Sequence, residues 1–194
     1  MKTSNLLLAM MTAAGLTLAG AAQAATMNKD QRDAAYKDAA AQYKADKQAC
    51  SSMSGNAKDV CMQEAKGKEK IAKAEADAAY KATPKARQDA RLAHADRDYN
   101  VAKEKCDDLS GNQKDVCVKE AKASYTKAKA DAKVDRVAAD TRNTSTEKVA
   151  AARKDAAEDK RDAEYKVAIE KCDSLAGAAK DTCVKNAKVK YGKS

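Results

Sequence analysis

Apolar and small residues recur every three or four positions along almost the whole chain beyond residue 27, and charged residues fill the faces between them. That is the period of amphipathic helices rather than strands. Tyr36, Ala39, Tyr43, Cys50 and Met53 mark a helix over 28–53, interrupted by Asp46, and Met62, Ala65, Ala72, Ala76 and Ala79 mark a second over 57–81, with Glu69 intruding. Thr83 and Pro84 then start a third, Thr as cap and proline at the first helical position, where its missing N–H is harmless. This third helix, over 84–109, carries the clearest stripe: Leu92, Ala95, Tyr99, Ala102, Cys106 and Leu109 alternate at three and four residues, a heptad seam that packs lengthwise on a neighbour. Val118, Ala121, Tyr125, Ala128 and Ala132 answer it on the next helix. The pattern fails in the polar cluster over 141–146, where Thr144 and Glu147 make a capping box, and two more helices follow over 146–175 and 178–191.

One stretch occurs three times: Cys50 to Cys61, Cys106 to Cys117 and Cys172 to Cys183. Its two cysteines are eleven residues apart. On an unbroken helix they would lie about 16 Å apart along the axis, too far for a disulfide, whose Cα atoms must come within about 7 Å. Gly55, Gly111 and Gly177 supply the break, since glycine alone enters the left-handed region without steric cost and so ends a helix readily. Asn56 and Asn112 follow as caps of a return helix, and Asp59, Asp115 and Asp181 place negative charge in its first turn. The third copy has Ala178 in place of the asparagine, a change that costs a cap about 1 kcal/mol, so that hairpin is expected to fray first. The chain thus reads as all-α, three disulfide-pinned antiparallel helical hairpins (six helices) over 25–82, 83–141 and 142–194, forming an elongated bundle or a loosely linked array. Narrow stripes predict a slender assembly with limited contact between hairpins.

Composition agrees with thin packing. The chain has no Phe or Trp, and about a quarter of it is alanine, whose burial contributes little when stabilisation scales at about 25 cal/mol per Å². Helix propensity and disulfide staples must supply much of the stability. Lys2, the apolar run over 6–20 and the small-x-small site Ala22-Gln23-Ala24 predict a secretory signal peptide over 1–24, with no membrane-spanning segment after its cleavage. An exported chain meets an oxidising compartment, so the repeat picks out Cys50–Cys61, Cys106–Cys117 and Cys172–Cys183 as structural disulfides.

The formal charge is +9, which suits anionic envelope polymers such as lipopolysaccharide or peptidoglycan as partners. Acids and bases are intermixed along every helix, however, and such mixing makes solvated faces. Lys185, Lys188, Lys190 and Lys193 form the best candidate anion contact. Nucleic acid is not the expected partner, because the tyrosines that would stack on bases stand at seam positions. His94, with Asp98 at i+4, lacks a second metal ligand, two thiolates per hairpin fall short of a zinc site, and the cysteine spacing is unlike that of thiol oxidoreductases. Neither an enzyme nor a cofactor is expected.

The unit from Glu104 to Lys122, containing Cys106, Gly111, Asn112, Lys114, Asp115, Cys117 and Ala121, resembles repeats of small Ala/Lys-rich exported proteins of Gram-negative bacteria. These are often labelled cell-envelope biogenesis or TolA-like proteins, a group without an established activity. The resemblance implies a periplasmic envelope component. The leading expectation is a non-enzymatic structural, spacer or stress-related protein that meets envelope proteins. A basic module for anionic envelope polymers is the alternative, and metal or redox handling through reduced cysteine pairs is the third.

Overall fold

The computed structural model describes residues 26–140 and 145–193. The expected signal peptide over 1–24 and most of the polar joint after Asp140 lie outside the described residues. Six α-helices follow one another: α1 (Lys29–Cys50), α2 (Gly55–Lys81), α3 (Pro84–Lys105), α4 (Gly111–Asp140), α5 (Thr146–Cys172) and α6 (Gly177–Tyr191), with a single 3₁₀ turn at Cys106–Asp108. All three expected disulfides are present, each with its Cα atoms 5.7 Å apart. The fold is therefore the expected set of pinned helical hairpins.

Local chemistry sets most of the helix starts. Asn28 and Gln31 exchange hydrogen bonds, each side-chain oxygen accepting from the other's backbone N–H at 2.9 Å, a reciprocal box that satisfies two free donors. Thr83 accepts from the Ala86 N–H at 3.1 Å with Pro84 opening α3, as the sequence predicts. At α5 the cap is Ser145, whose hydroxyl accepts from the Lys148 N–H at 3.3 Å. The expected capping box with Glu147 rests on Thr144, which lies outside the described residues.

The stapled turns differ from expectation in three ways. The ascending helices stop at or beside the first cysteine instead of running on to Met53, Leu109 and Leu175. Those three residues leave the stripe and stand 41, 40 and 42 % exposed. The reason is geometric: a chain that must bring its second cysteine back to 5.7 Å has to leave the helix at the first. It does so in each copy through the same tight turn, with the N–H of Met53, Leu109 and Leu175 donating to the carbonyl of Cys50, Cys106 and Cys172. Secondly, Gly55, Gly111 and Gly177 do take positive φ (57°, 55° and 54°), but as the first residue of the return helix. Thirdly, Asn56 and Asn112 therefore sit inside the return helices and cap nothing, and the first turns of α2, α4 and α6 contain no acidic residue, Asp59, Asp115 and Asp181 falling just beyond them.

The helices run alternately up and down in single file, and each packs chiefly on the ones before and after it in the chain. All three stapled turns lie at one end of this layer. The α2–α3 junction and the facing ends of α4 and α5 lie at the other. Contact between hairpins, α2 on α3 and α4 on α5, is as extensive as contact within them, which corrects the expectation of limited contact. The cause is a second small-residue face on the inner helices: Gly67 of α2 meets the side of α3 that buries Ala86, Ala90, Ala93 and Val101, and Ala123 and Ala130 of α4 lie on its side towards α5. An added Cβ at Gly67 would lie 2.1 Å from Arg97 Cγ, so the close approach depends on glycine. The core is alanine and sulfur. Cys50, Cys106 and Cys172 are its largest fully buried side chains, and no charged or polar residue is buried among the described residues.

Candidate functional site

The sequence-predicted positions fall into separate places. The six cysteines are all paired and line one end of the layer. Beside the second and third staples a lysine closes the turn, Lys114 on Asp107 at 2.9 Å and Lys180 on Asp173 at 2.8 Å. The side-chain bond to the carboxylate holds each ammonium above its ordinary range. In the first copy Ser51 replaces that aspartate.

Asn112 has a different role from the predicted one. Its Nδ2 donates to the backbone carbonyl of Glu170 at 3.0 Å, so it joins the second hairpin to the third. Asn56, its counterpart, has an enclosed Nδ2 without an acceptor, and Ala178 stands where no further hairpin follows to be joined.

The four C-terminal lysines are not equivalent. Lys193 pairs with Asp162 at 2.5 Å, and that hydrogen bond holds the Asp162 carboxyl below the usual range. Lys190 lies over the ring of Tyr191, 5.2 Å from its centre. Lys185 and Lys188 are exposed, beside a Val189 that is 76 % exposed. His94 bonds Glu75 at 2.8 Å across the α2–α3 surface rather than Asp98. No group of three metal-capable side chains occurs among the described residues, and no helix among them is long and apolar enough to cross a membrane.

The structure also brings together a basic groove that the sequence reading missed. It has a volume of about 450 Å³ and runs along one face of α4, with Leu92 of α3 on one side, Asp159 of α5 on the other, and Lys122, Tyr125, Lys129, Lys133 and Arg136 along its length. The four cations recur at seven, four and three residues and so share one stripe of the helix. Lys133 is 3.3 Å from Asp155. Lys122 and Lys129 lie over the Tyr125 ring, at 5.3 and 5.1 Å from its centre, and Arg136 keeps an enclosed Nε with no acceptor.

Tyr125 is fixed in place. Its ring stacks on Tyr99 at 5.1 Å and its hydroxyl donates to Asp96 at 2.7 Å. That bond, with burial and the nearby negative charge, pushes the phenol up to about 12. Burial pulls the Asp96 carboxyl upwards, but hydrogen bonds from Lys70 and Tyr125 outweigh it and leave the group below its ordinary range. The groove's apolar wall is therefore a held ring.

By fold the chain is an all-helical repeat protein whose hairpins are fastened at one end by disulfides. It matches no protein-family model, no curated protein and no solved structure.

Proposed function

We propose that this chain is a non-enzymatic, exported component of the bacterial cell envelope that acts as a stiff helical spacer. The observation that carries the reading is the row of three equivalent staples along one end of a single helical layer. Disulfides of this kind persist in oxidising compartments, and they hold together hairpins whose alanine cores bury little apolar area. Repeats stacked in a line gain stability from each neighbour and present long edges to partners, which suits a mechanical role and needs no reaction centre. The resemblance of the repeat to small envelope proteins points the same way.

Alkylation of the protein in a periplasmic extract, followed by mass spectrometry and by in-cell crosslinking from either edge helix, tests the proposal. It predicts no free thiol, a melting temperature that falls on reduction with dithiothreitol, and capture of an envelope protein. Free thiols in the periplasmic material, or unchanged melting after reduction, would overturn it.

A further inference from the structure

We propose that the groove along α4 binds a small soluble phosphorylated molecule, with the phosphate held by Lys129, Lys133 and Arg136 and its carrier lying against Tyr125 and Leu92. These three cations stand at i, i+4 and i+7 on one stripe, within about two helical turns, so their heads can converge on one anion. Among the described residues, two of them make no ion pair with a carboxylate. Arg136 has an enclosed Nε without an acceptor. Lys129 rests on the Tyr125 ring. Lys133 meets Asp155 at 3.3 Å with both side chains about half exposed, a pairing weak enough for a dianion to displace. A phosphate offers several charged acceptor oxygens, and a planar guanidinium fork can bind it bidentately.

The size of the groove defines the carrier. About 450 Å³ lies within the span of small-ligand sites, about 300–1,000 Å³, and leaves room beyond the phosphate for a ring about the size of a hexose. Tyr125, held by Tyr99 and Asp96, and Leu92 line the groove and supply its apolar wall. Lys122, seven residues and about 10 Å before Lys129, stands at the far end for a hydroxyl or a second anionic group. The acids around the groove exclude an extended anionic surface. Asp159 forms part of the opposite wall, Asp155 stands beside Lys133, and Asp96 lies on the α3 side. A membrane or polyanion pressed against this face would meet these carboxylates, whereas a single phosphate reaching α4 lies among the cations.

The site is independent of the spacer reading, and its test leaves that reading untouched. Oxidised full chain is titrated with glucose 6-phosphate, inorganic phosphate and glucose, and mixed separately with phosphatidylglycerol vesicles, while backbone amide shifts are followed by NMR. The expected result is saturable, salt-weakened binding of glucose 6-phosphate, weaker binding of phosphate and none of glucose, with shifts centred on residues 122–136. The double variant Lys129→Gln, Arg136→Gln should weaken binding about tenfold or more, the scale of losing a hydrogen bond to a charged group. The variant Lys185→Gln, Lys188→Gln should leave it unchanged. Arg136→Lys, with unaltered circular dichroism, should bind at an intermediate level and so separates recognition from folding. Absence of saturation by glucose 6-phosphate, equal losses in the groove and tail variants, or binding to vesicles alone would overturn the proposal.

Discussion

The hydroxyl of Tyr125 and the carboxylate of Asp96 form a polar contact across the alanine-rich seam between α3 and α4, and the direction of their shifts fixes a pH dependence. A phenol raised from 10.0 to about 12 on folding favours the folded state fully below pH 10, and this contribution is lost as the pH climbs through the folded value. Tyr125→Phe should therefore lower stability by about 1 kcal/mol near neutrality, the usual worth of such a bond. The gap between the two proteins should close above pH 10. Absorbance titration of the tyrosines would check this: the wild type should show a late-ionising ring that the variant lacks. Gly67 gives the opposite kind of test, one of space. Alanine is the better helix former by about 1 kcal/mol, yet its Cβ would meet Arg97 at Cγ (2.1 Å) and Cβ (2.7 Å), atoms too near the backbone to swing away. Overpacking of this kind costs about 1–3 kcal/mol, so Gly67→Ala should be net destabilising in a urea melt. Adding Arg97→Ala, which removes the Cγ but keeps the Cβ at 2.7 Å, should recover only part of the loss.

Among the elements, the stapled turn is the unit that recurs, and its asparagine separates a cap from a latch. Asn112 reaches from the start of α4 to the Glu170 carbonyl on α5, while Asn56 makes no such bond. Asn112→Ala should accordingly cost about 1 kcal/mol, and Asn56→Ala should cost nothing or stabilise slightly, because it removes an enclosed, unsatisfied donor. Two caps would instead lose the same amount, so chemical denaturation of the pair of variants distinguishes the roles. The cysteine spacing, the glycine at each bend and the residues Thr83-Pro84 were enough to place the hairpins. The sequence could not show where each ascending helix stops, since Met53, Leu109 and Leu175 continue its apolar period and the pull of the staple overrides that local signal.

For the whole molecule, a single file of helices means that position in the row sets local stability. The inner helices α2, α3, α4 and α5 each have two neighbours, whereas α1 and α6 have one, and α6 is the shortest at 15 residues. Native-state hydrogen exchange should therefore show α6 opening first, α1 next, and α3 and α4 last. Uniform protection across the row would contradict this order. Here the third hairpin's weakness arises from its length and its place at the edge, because the asparagine it lacks caps neither of the other two. The groove on α4 belongs to the same scale. Lys122, Lys129, Lys133 and Arg136 are visible in sequence as one stripe, but α3 and α5 have to flank α4 before that stripe lines a cavity. The C-terminal lysines drew attention because they are close together in the chain; in the fold Lys193 is paired and Lys190 rests on Tyr191. Sequence alone determined the helices, the repeat, the bends and the pairing of the cysteines, because helical period, glycine conformation and disulfide reach are local properties. Tertiary structure alone decided which small-residue faces meet, that hairpins pack on one another as extensively as their own halves do, and which cations share a cavity, since those follow from contacts between residues 20 to 60 positions apart, as Lys133 with Asp155 and Asn112 with Glu170 illustrate.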